Sequence, residues 1–260
     1  MLNKPYFIKG VNKMILRNPQ GRKTSEIRPY LLKANFTRYA EGSVLIQAGH
    51  THVLCTSSIL EEKVPHWIKE KGKGWIAAEY ALLPRSTHTR TQREREKMFG
   101  RTHEIQRLIS RALRNMVRLD QLGERSIMID CDVLQADGGT RCAAITGGCI
   151  ALAMALGKLI QLGKVPPTVW IDTVAAVSVG IHHHEILVDL DYQEDSNCEV
   201  DMNLVLTGEG KIVELQGAAE KKPFTKTKMD QMYQYAHQAI EEIQKIQLDL
   251  LNQLGLSIKK

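Results

Sequence analysis

The sequence predicts an α+β fold, because its strand-like and helix-like segments come in separate runs rather than in strict alternation. Three short apolar-rich segments, residues 31–36, 43–47 and 52–60, are separated by Glu41-Gly42 and Ala48-Gly49 and read as a β-meander. The period then lengthens to that of a helix at residues 101 to about 119 and again at 141 to about 160. A last helical stretch, from about 227 to 254, follows a strand pair, so mixed sheets flanked by helices are expected.

In chain order, residues 1–23 carry Lys4, Lys9, Lys13, Arg17, Arg22 and Lys23, with no acid before Glu26. Composition and position make residues 1–20 a basic extension expected to be disordered. An RNA-contacting arm and an organelle-targeting segment are the alternatives, and Met14 is a candidate native start. After the meander, residues 63–73 form a charged loop and residues 75–83 another strand, closed by Pro84. The stretch from Arg85 through Arg90, Arg93, Arg95 and Lys97 to Gly100 is too polar to pack and too long for a simple connector. A loop so dense in cations either tracks a phosphate backbone or is a solvated insertion.

Residues 101 to about 119 place Ile105, Leu108, Ile109, Ala112, Leu113, Met116 and Val117 on one helical face. Arg107, Arg111, Arg114 and Arg118 line another, either as a solvated stripe or as a contact for nucleic acid or a subunit. A strand at 126–134 is joined to the next helix by Asp137-Gly138-Gly139-Thr140-Arg141. The two glycines permit a sharp turn and close approach of a ligand, and Thr140 stands where a helix takes its N-cap. Unpaired N–H groups and the positive dipole end meet there, and Arg141 adds a forked cation matched to phosphate oxygens. An anion site and an ordinary turn with a solvated arginine both fit this pentapeptide. Gly100-Arg101 repeats the arrangement at the start of the amphipathic helix. Gly147-Gly148 weakens the helix it interrupts or marks a close packing contact.

Residues 168–180 read as a strand, and His182-His183-His184 as a hairpin turn, since adjacent histidines alternate faces and cannot converge on one metal. Six acids follow within thirteen residues: Asp189, Asp191, Glu194, Asp195, Glu199 and Asp201. Asp189 and Asp191 are expected on one side of a strand. Cations are expected to offset the repulsion, and oxygen ligands without zinc-type spacing suit Mg²⁺ or Mn²⁺. An acidic surface loop is the alternative. Residues 202–207 and 211–215 flank Gly208-Glu209-Gly210 as a hairpin. The last helix places Met229, Met232, Tyr233, Ala236, Ile240 and Ile243 toward a sheet.

At 260 residues the chain can bury a full core. A charge of +6 and a pI near 9.0 favour a polyanionic partner without requiring one. Five cysteines with no C-x-x-C pair, and no apolar leader, point to the cytoplasm. The most apolar stretch, residues 142–156, is shorter than the roughly 20 residues a bilayer span needs, so no membrane partner is expected.

Collected, the motifs resemble the ribonuclease PH family. They comprise Gly21-Arg22, Arg28-Pro29, Ala40-Glu41-Gly42-Ser43-Val44, Val53-Leu54-Cys55-Thr56, Gly74-Trp75-Ile76, Ala78-Glu79-Tyr80, Leu83-Pro84-Arg85-Ser86-Thr87 and Gly100-Arg101-Thr102. Glu104-Ile105-Gln106-Arg107, the run 130–141, Ala175-Ala176-Val177-Ser178-Val179-Gly180, Glu194-Asp195-Ser196, Asp201-Met202-Asn203, Gln216-Gly217 and Pro223-Phe224 complete the set. The resemblance implies a ribonuclease PH-like domain over residues 21–260, with βαβ pieces and a left-handed crossover, an exception to the usual hand. It implies a phosphate-dependent 3′→5′ exoribonuclease (a tRNA nucleotidyltransferase) that trims transfer RNA precursors, with ribosomal RNA as a further substrate, and releases nucleoside diphosphates. It also implies a homohexamer built as a trimer of dimers, inorganic phosphate as co-substrate, and Mg²⁺ or Mn²⁺. Carried over residue by residue, phosphate binding falls on Arg101, Gly139, Thr140 and Arg141. Metal binding and catalysis fall on Asp195 and Asp201, and RNA contact on Arg85, Arg90 and Arg93. Cys142 departs from the threonine usual after the phosphate-site arginine, as do the N-terminal extension and the histidine run. A non-catalytic subunit of an exosome-like ring and a hydrolytic metal-dependent nuclease are the competing readings.

Overall fold

The structure is a computed structural model that describes Arg17, residues 21–94 and residues 100–258. The rest of the basic arm, Met14, and Arg95 and Lys97 of the cationic loop lie outside the described residues. The meander comes first: β1 (Tyr30–Ala34), β2 (Gly42–Ala48) and β3 (Thr51–Glu61). A short helix, α1 (His66–Lys69), sits inside the stretch expected to be a loop. It is followed by β4 (Trp75–Leu82), α2 (Gly100–Arg114), β5 (Arg125–Gln135) and α3 (Thr140–Gln161). The second half comprises β6 (Val174–His182), β7 (Glu185–Val188), α4 (Tyr192–Asn197), β8 (Val200–Thr207), β9 (Ile212–Ala219) and α5 (Lys226–Gln253).

The strands form two sheets, in the orders β1-β2-β3-β5-β4 and β7-β6-β8-β9. All pairings are antiparallel except β4 with β5, so β4–α2–β5 is the expected βαβ piece. Alternation of side chains builds the first sheet's inner face. Val53 and Cys55 on β3 face the core beside Ile127, Ile129 and Cys131 on β5, while Met128, Asp130 and Asp132 point the other way.

α3 is the centre of the molecule. It is longer than expected, 22 residues, and apolar enough to cross a bilayer by length and composition. Yet 83% of its apolar window is buried, because strands of both sheets and α2 pack on it. A helix apolar on every side belongs in such a core. Gly147 and Gly148 are the close contact foreseen. A Cβ on Gly147 would stand 2.8 Å from both Cys55 Sγ and Ile46 Cγ2, and one on Gly148 3.3 Å from Leu113. α5 covers the second sheet with Met232, Ala236, Ala239, Ile240 and Ile243, as its apolar spacing predicts.

Three expectations change. α2 ends at Arg114, and Val117 instead bridges Trp170. The strand expected from residue 168 starts only at Val174, after a 3-10 turn at Pro167–Val169. Asp189 and Asp191 are not on a strand. β7 stops at Val188, Asp189 has φ +55°, and Asp191 caps α4 through a capping box with Glu194. His183 and His184, at φ +47° and +69°, form the β6–β7 turn as expected.

Candidate active site

β4, α2, the loop after β5, α3, α4 and β8 converge on a cleft of about 730 Å³. Arg101, Gly139, Thr140, Arg141, Asp195 and Asp201 all line it, so residues separated by up to a hundred positions meet in one place. The carriers are simple. Arg101 enters from the first turn of α2 and Arg141 from that of α3. Asp195 stands on α4 and Asp201 on β8.

The helix start differs in one respect from its sequence reading. Gly139, at φ +64°, occupies the N-cap position and no side chain caps the helix, so Thr140 is the first helical residue. Its hydroxyl pairs with that of Tyr80 at 2.8 Å instead. The loop cannot take larger residues. A Cβ on Gly138, itself at φ +74°, would stand 2.5 Å from both the Leu190 carbonyl oxygen and the Asp191 carbonyl carbon. Gly138→Ala is therefore expected to lose at least ~2 kcal/mol of stability and most phosphate binding. Thermal melting and calorimetric titration with inorganic phosphate measure both.

Arg141 donates through Nη1 to Gln216 Oε1 at 3.1 Å and lies 3.7 Å from Glu104 Oε1, while Gln216 Nε2 donates to Glu104 at 2.7 Å. Burial pushes the Asp195 carboxyl above the usual carboxylate range, with Arg101 and then Arg141 pulling it back. Asp201 rises further, to about 6, through burial and then the charge of Asp195. Its Oδ1 is buried without a hydrogen-bond partner, and Oδ2 accepts only a long 3.4 Å bond from Asn203. Two crowded carboxylates, one with an orphaned oxygen, fit a hard divalent cation. Among the described residues no three His, Cys, Asp or Glu groups form a metal cage. The pair therefore suits Mg²⁺, which keeps waters and takes further ligands from phosphate.

The other four acids divide differently. Asp189 pairs with Arg28 at 2.7 Å, and Glu194 with Arg22 at 3.0 Å and Arg17 at 3.1 Å. The offsetting cations thus come from the N-terminal segment, where Arg17 also donates to the carbonyls of Lys23 and Val188. Asp191 caps α4, and Glu199 lies before β8, outside the cleft lining.

Arg85, Arg90 and Arg93 are exposed on the loop after β4 and do not line the cleft, although Thr87 of the same loop does. Arg85 donates to the His88 carbonyl at 2.9 Å. Two of the three stripe arginines that lie on α2 are used internally, Arg118 standing beyond its end. Arg111 pairs with Glu214 at 2.8 Å, and the Arg114 guanidinium lies 3.7 Å from the Trp75 ring centroid. Cys142 is buried, its thiol pushed up to about 12 by burial and donating to Asn203 Oδ1, so it is not an oxidation-prone group. Tyr80, Ser178, Tyr192, Asn203, Glu220 and Lys221 also line the cleft, and none of them was assigned a site role from the sequence. Asn203 was the most accessible of these, lying two residues beyond Asp201 on the same strand face.

The family model described as 3′ exoribonuclease family, domain 1, matches residues 26–156, and that for domain 2 matches residues 172–239. A protein named Ribonuclease PH from Moorella thermoacetica is 52% identical over 237 residues, covering 90% of this chain and 94% of that protein. Among solved structures, rice (Oryza sativa) Rrp46 superposes with a TM-score of 0.74 at 16% identity, covering 90% of this chain and 100% of its own. A chain of the Archaeoglobus fulgidus exosome with RNA bound to the active site gives 0.74 at 20% identity, over 87% of this chain and 91% of that one. These two likenesses are of fold. Both family domains are matched in order and a 52%-identical relative spans nine-tenths of the sequence, so the chain belongs to the RNase PH family of 3′ exoribonucleases.

Proposed function

We propose that this protein is a phosphate-dependent 3′→5′ exoribonuclease, a tRNA nucleotidyltransferase that trims the 3′ ends of transfer RNA precursors and of ribosomal RNA. The observation that carries the reading is the meeting, in one cleft, of an anion cradle and a carboxylate pair. Arg101, Arg141 and the Gly139-Thr140 helix start form the cradle, and Asp195 and Asp201 the pair. The cradle holds inorganic phosphate beside the terminal phosphodiester, replacing a bimolecular encounter with a positioned one. An oxygen of hydrogen phosphate bonds to the terminal phosphorus, the P–O3′ bond breaks, and the proton that the phosphate carried ends on the 3′ oxygen of the shortened RNA. The released nucleotide is a diphosphate, and no Ser, Cys or His nucleophile takes part. Arg101 and Arg141 spread the charge that builds on the transferring group. Asp195 and Asp201 would hold a divalent cation, Mg²⁺ or Mn²⁺, which would supply charge neutralisation during the transfer.

The exposed Arg85, Arg90 and Arg93 lie on the loop that reaches the cleft through Thr87, which suits them to guide an RNA backbone inward. The cradle lies within the region matched by domain 1 and the carboxylates within that of domain 2, which supports reading residues 21–260 as one working unit. Leu31 on edge strand β1, Phe36 and Tyr39 beyond it, and Ile212 on edge strand β9 are exposed, which supports burial in a homohexamer. Five free, buried thiols suit the cytoplasm.

The test is incubation with a 3′-extended transfer RNA precursor and Mg²⁺, with and without inorganic phosphate, followed by identification of the released nucleotides. Diphosphates are expected, and only with phosphate. Monophosphates without phosphate would establish the hydrolytic nuclease instead, and binding without release the non-catalytic ring subunit.

A further inference from the structure

The glycine loop of the cradle is held from behind by a buried assembly that the chemistry above does not use. Arg28 and Asp189 are 6% and 1% exposed. Asp189 Oδ1 accepts from Arg28 Nη2 at 2.7 Å, and its Oδ2 accepts from Arg28 Nε at 3.0 Å and the Arg28 main-chain N–H at 2.8 Å. Arg28 Nη1 in turn donates to the Asp137 carbonyl at 2.7 Å. Thr51, fully buried on β3, donates its hydroxyl to the Gly138 carbonyl at 2.6 Å and accepts the Asp137 N–H at 3.0 Å. Two consecutive carbonyls of one loop are thus tied to the interior. A buried ion pair is weak evidence of stabilisation for its own sake, so its use on this loop calls for a reason.

Peptide geometry supplies one. In a trans peptide the C=O and N–H point opposite ways. Anchoring the Asp137 and Gly138 carbonyls inward therefore turns the N–H groups of Gly138 and Gly139 away from Arg28 and Thr51. Among the described residues neither N–H donates a hydrogen bond, and both glycines line the cleft. Successive free N–H groups in a left-handed turn form a concavity suited to an anion. Asp189 also leads into α4, so the assembly ties the loop to the helix bearing Asp195.

We infer that Arg28 and Thr51, with Asp189 holding Arg28, are positioning residues for inorganic phosphate, fixing the Gly138 and Gly139 N–H donors before the anion arrives. The inference rests on the phosphorolytic reading of the cleft. It is tested on the full chain with Thr51→Val, which keeps the side-chain shape and removes the hydroxyl, beside Thr51→Ser and Arg28→Lys. Phosphate is titrated by calorimetry and, in trimming of a transfer RNA precursor, by its KM. Thr51→Val is expected to raise both constants for phosphate roughly tenfold. Its kcat at saturating phosphate and its RNA affinity in phosphate-free buffer should stay near those of the unmodified protein. Thr51→Ser should restore phosphate affinity, and Arg28→Lys should shift it the same way as Thr51→Val. A purely structural role would lower the melting temperature and the active fraction without moving KM. A folded Thr51→Val with unchanged phosphate constants overturns the inference even if Arg28→Lys fails to fold. An unmodified protein that neither binds nor consumes phosphate overturns the proposed function itself, and this inference with it.

Discussion

Arg141→Ala is expected to lower phosphate-dependent trimming by roughly 10²–10³-fold, the loss typical of removing one donor that stabilises developing charge. RNA affinity measured without phosphate should hardly move. The separation follows from where the residue stands. Arg141 leaves the first turn of α3 beside the glycine cradle, while the exposed arginines suited to guiding RNA are on the loop after β4. Gln216 and Glu104 hold its guanidinium, so its fork is already oriented. Arg141→Lys keeps the charge and loses the fork, so it should recover only a small part of the rate. The loss should appear in kcat/KM for phosphate when phosphate is scarce, and in kcat once phosphate saturates. Trimming at the unmodified rate by Arg141→Ala would remove the phosphate role assigned to α3.

Much of this site was legible in the sequence because the carriers are local. Gly138-Gly139-Thr140-Arg141 joins an alternating strand to an apolar helix, and such a junction makes an anion site a candidate from four residues, beside an ordinary turn. Gly100-Arg101 repeats it. The acidic stretch was legible only as a crowd. Sequence spacing put Asp189 and Asp191 on one strand face, but the positive φ at Asp189 ends β7 and turns that carboxylate inward to Arg28. Its partner Arg28 lies 161 positions away, so no local period could have divided the six acids into a structural group and a cleft pair. Thr140 was misjudged for a related reason. Gly139 can adopt the left-handed conformation at the cap, which displaces the hydroxyl to Tyr80, a residue on another strand. The arginine stripe of α2 shows the same limit, since a helical wheel cannot reveal that Trp75 and Glu214 meet two of the three arginines the helix carries.

Asp201→Asn should give the clearest opposition between stability and activity. Burial and the neighbouring Asp195 raise the Asp201 carboxyl from its ordinary 3.8 to about 6, and Oδ1 has no hydrogen-bond partner. The sign follows from linkage. With the folded value above the unfolded one, the native state binds the proton more tightly, so metal-free protein is most stable below pH 4 with respect to this group. That contribution disappears as pH rises through about 6. The ionised carboxylate then costs the fold roughly 1–3 kcal/mol, the lower end allowing for residual solvent screening. A neutral amide removes that cost, so metal-free Asp201→Asn at pH 7.5 should melt about 2–4 °C higher for each kcal/mol recovered. Trimming should fall at least ~100-fold, because the cleft keeps only one of the two carboxylates proposed to hold the cation. Mg²⁺ separates this from simple stabilisation. It should raise the melting temperature of the unmodified protein by relieving the same repulsion, and should raise that of the variant much less. Equal Mg²⁺ responses in the two proteins would place the cation elsewhere. A variant less stable than its parent would show that Asp201 is retained for the fold rather than for the chemistry of the cleft.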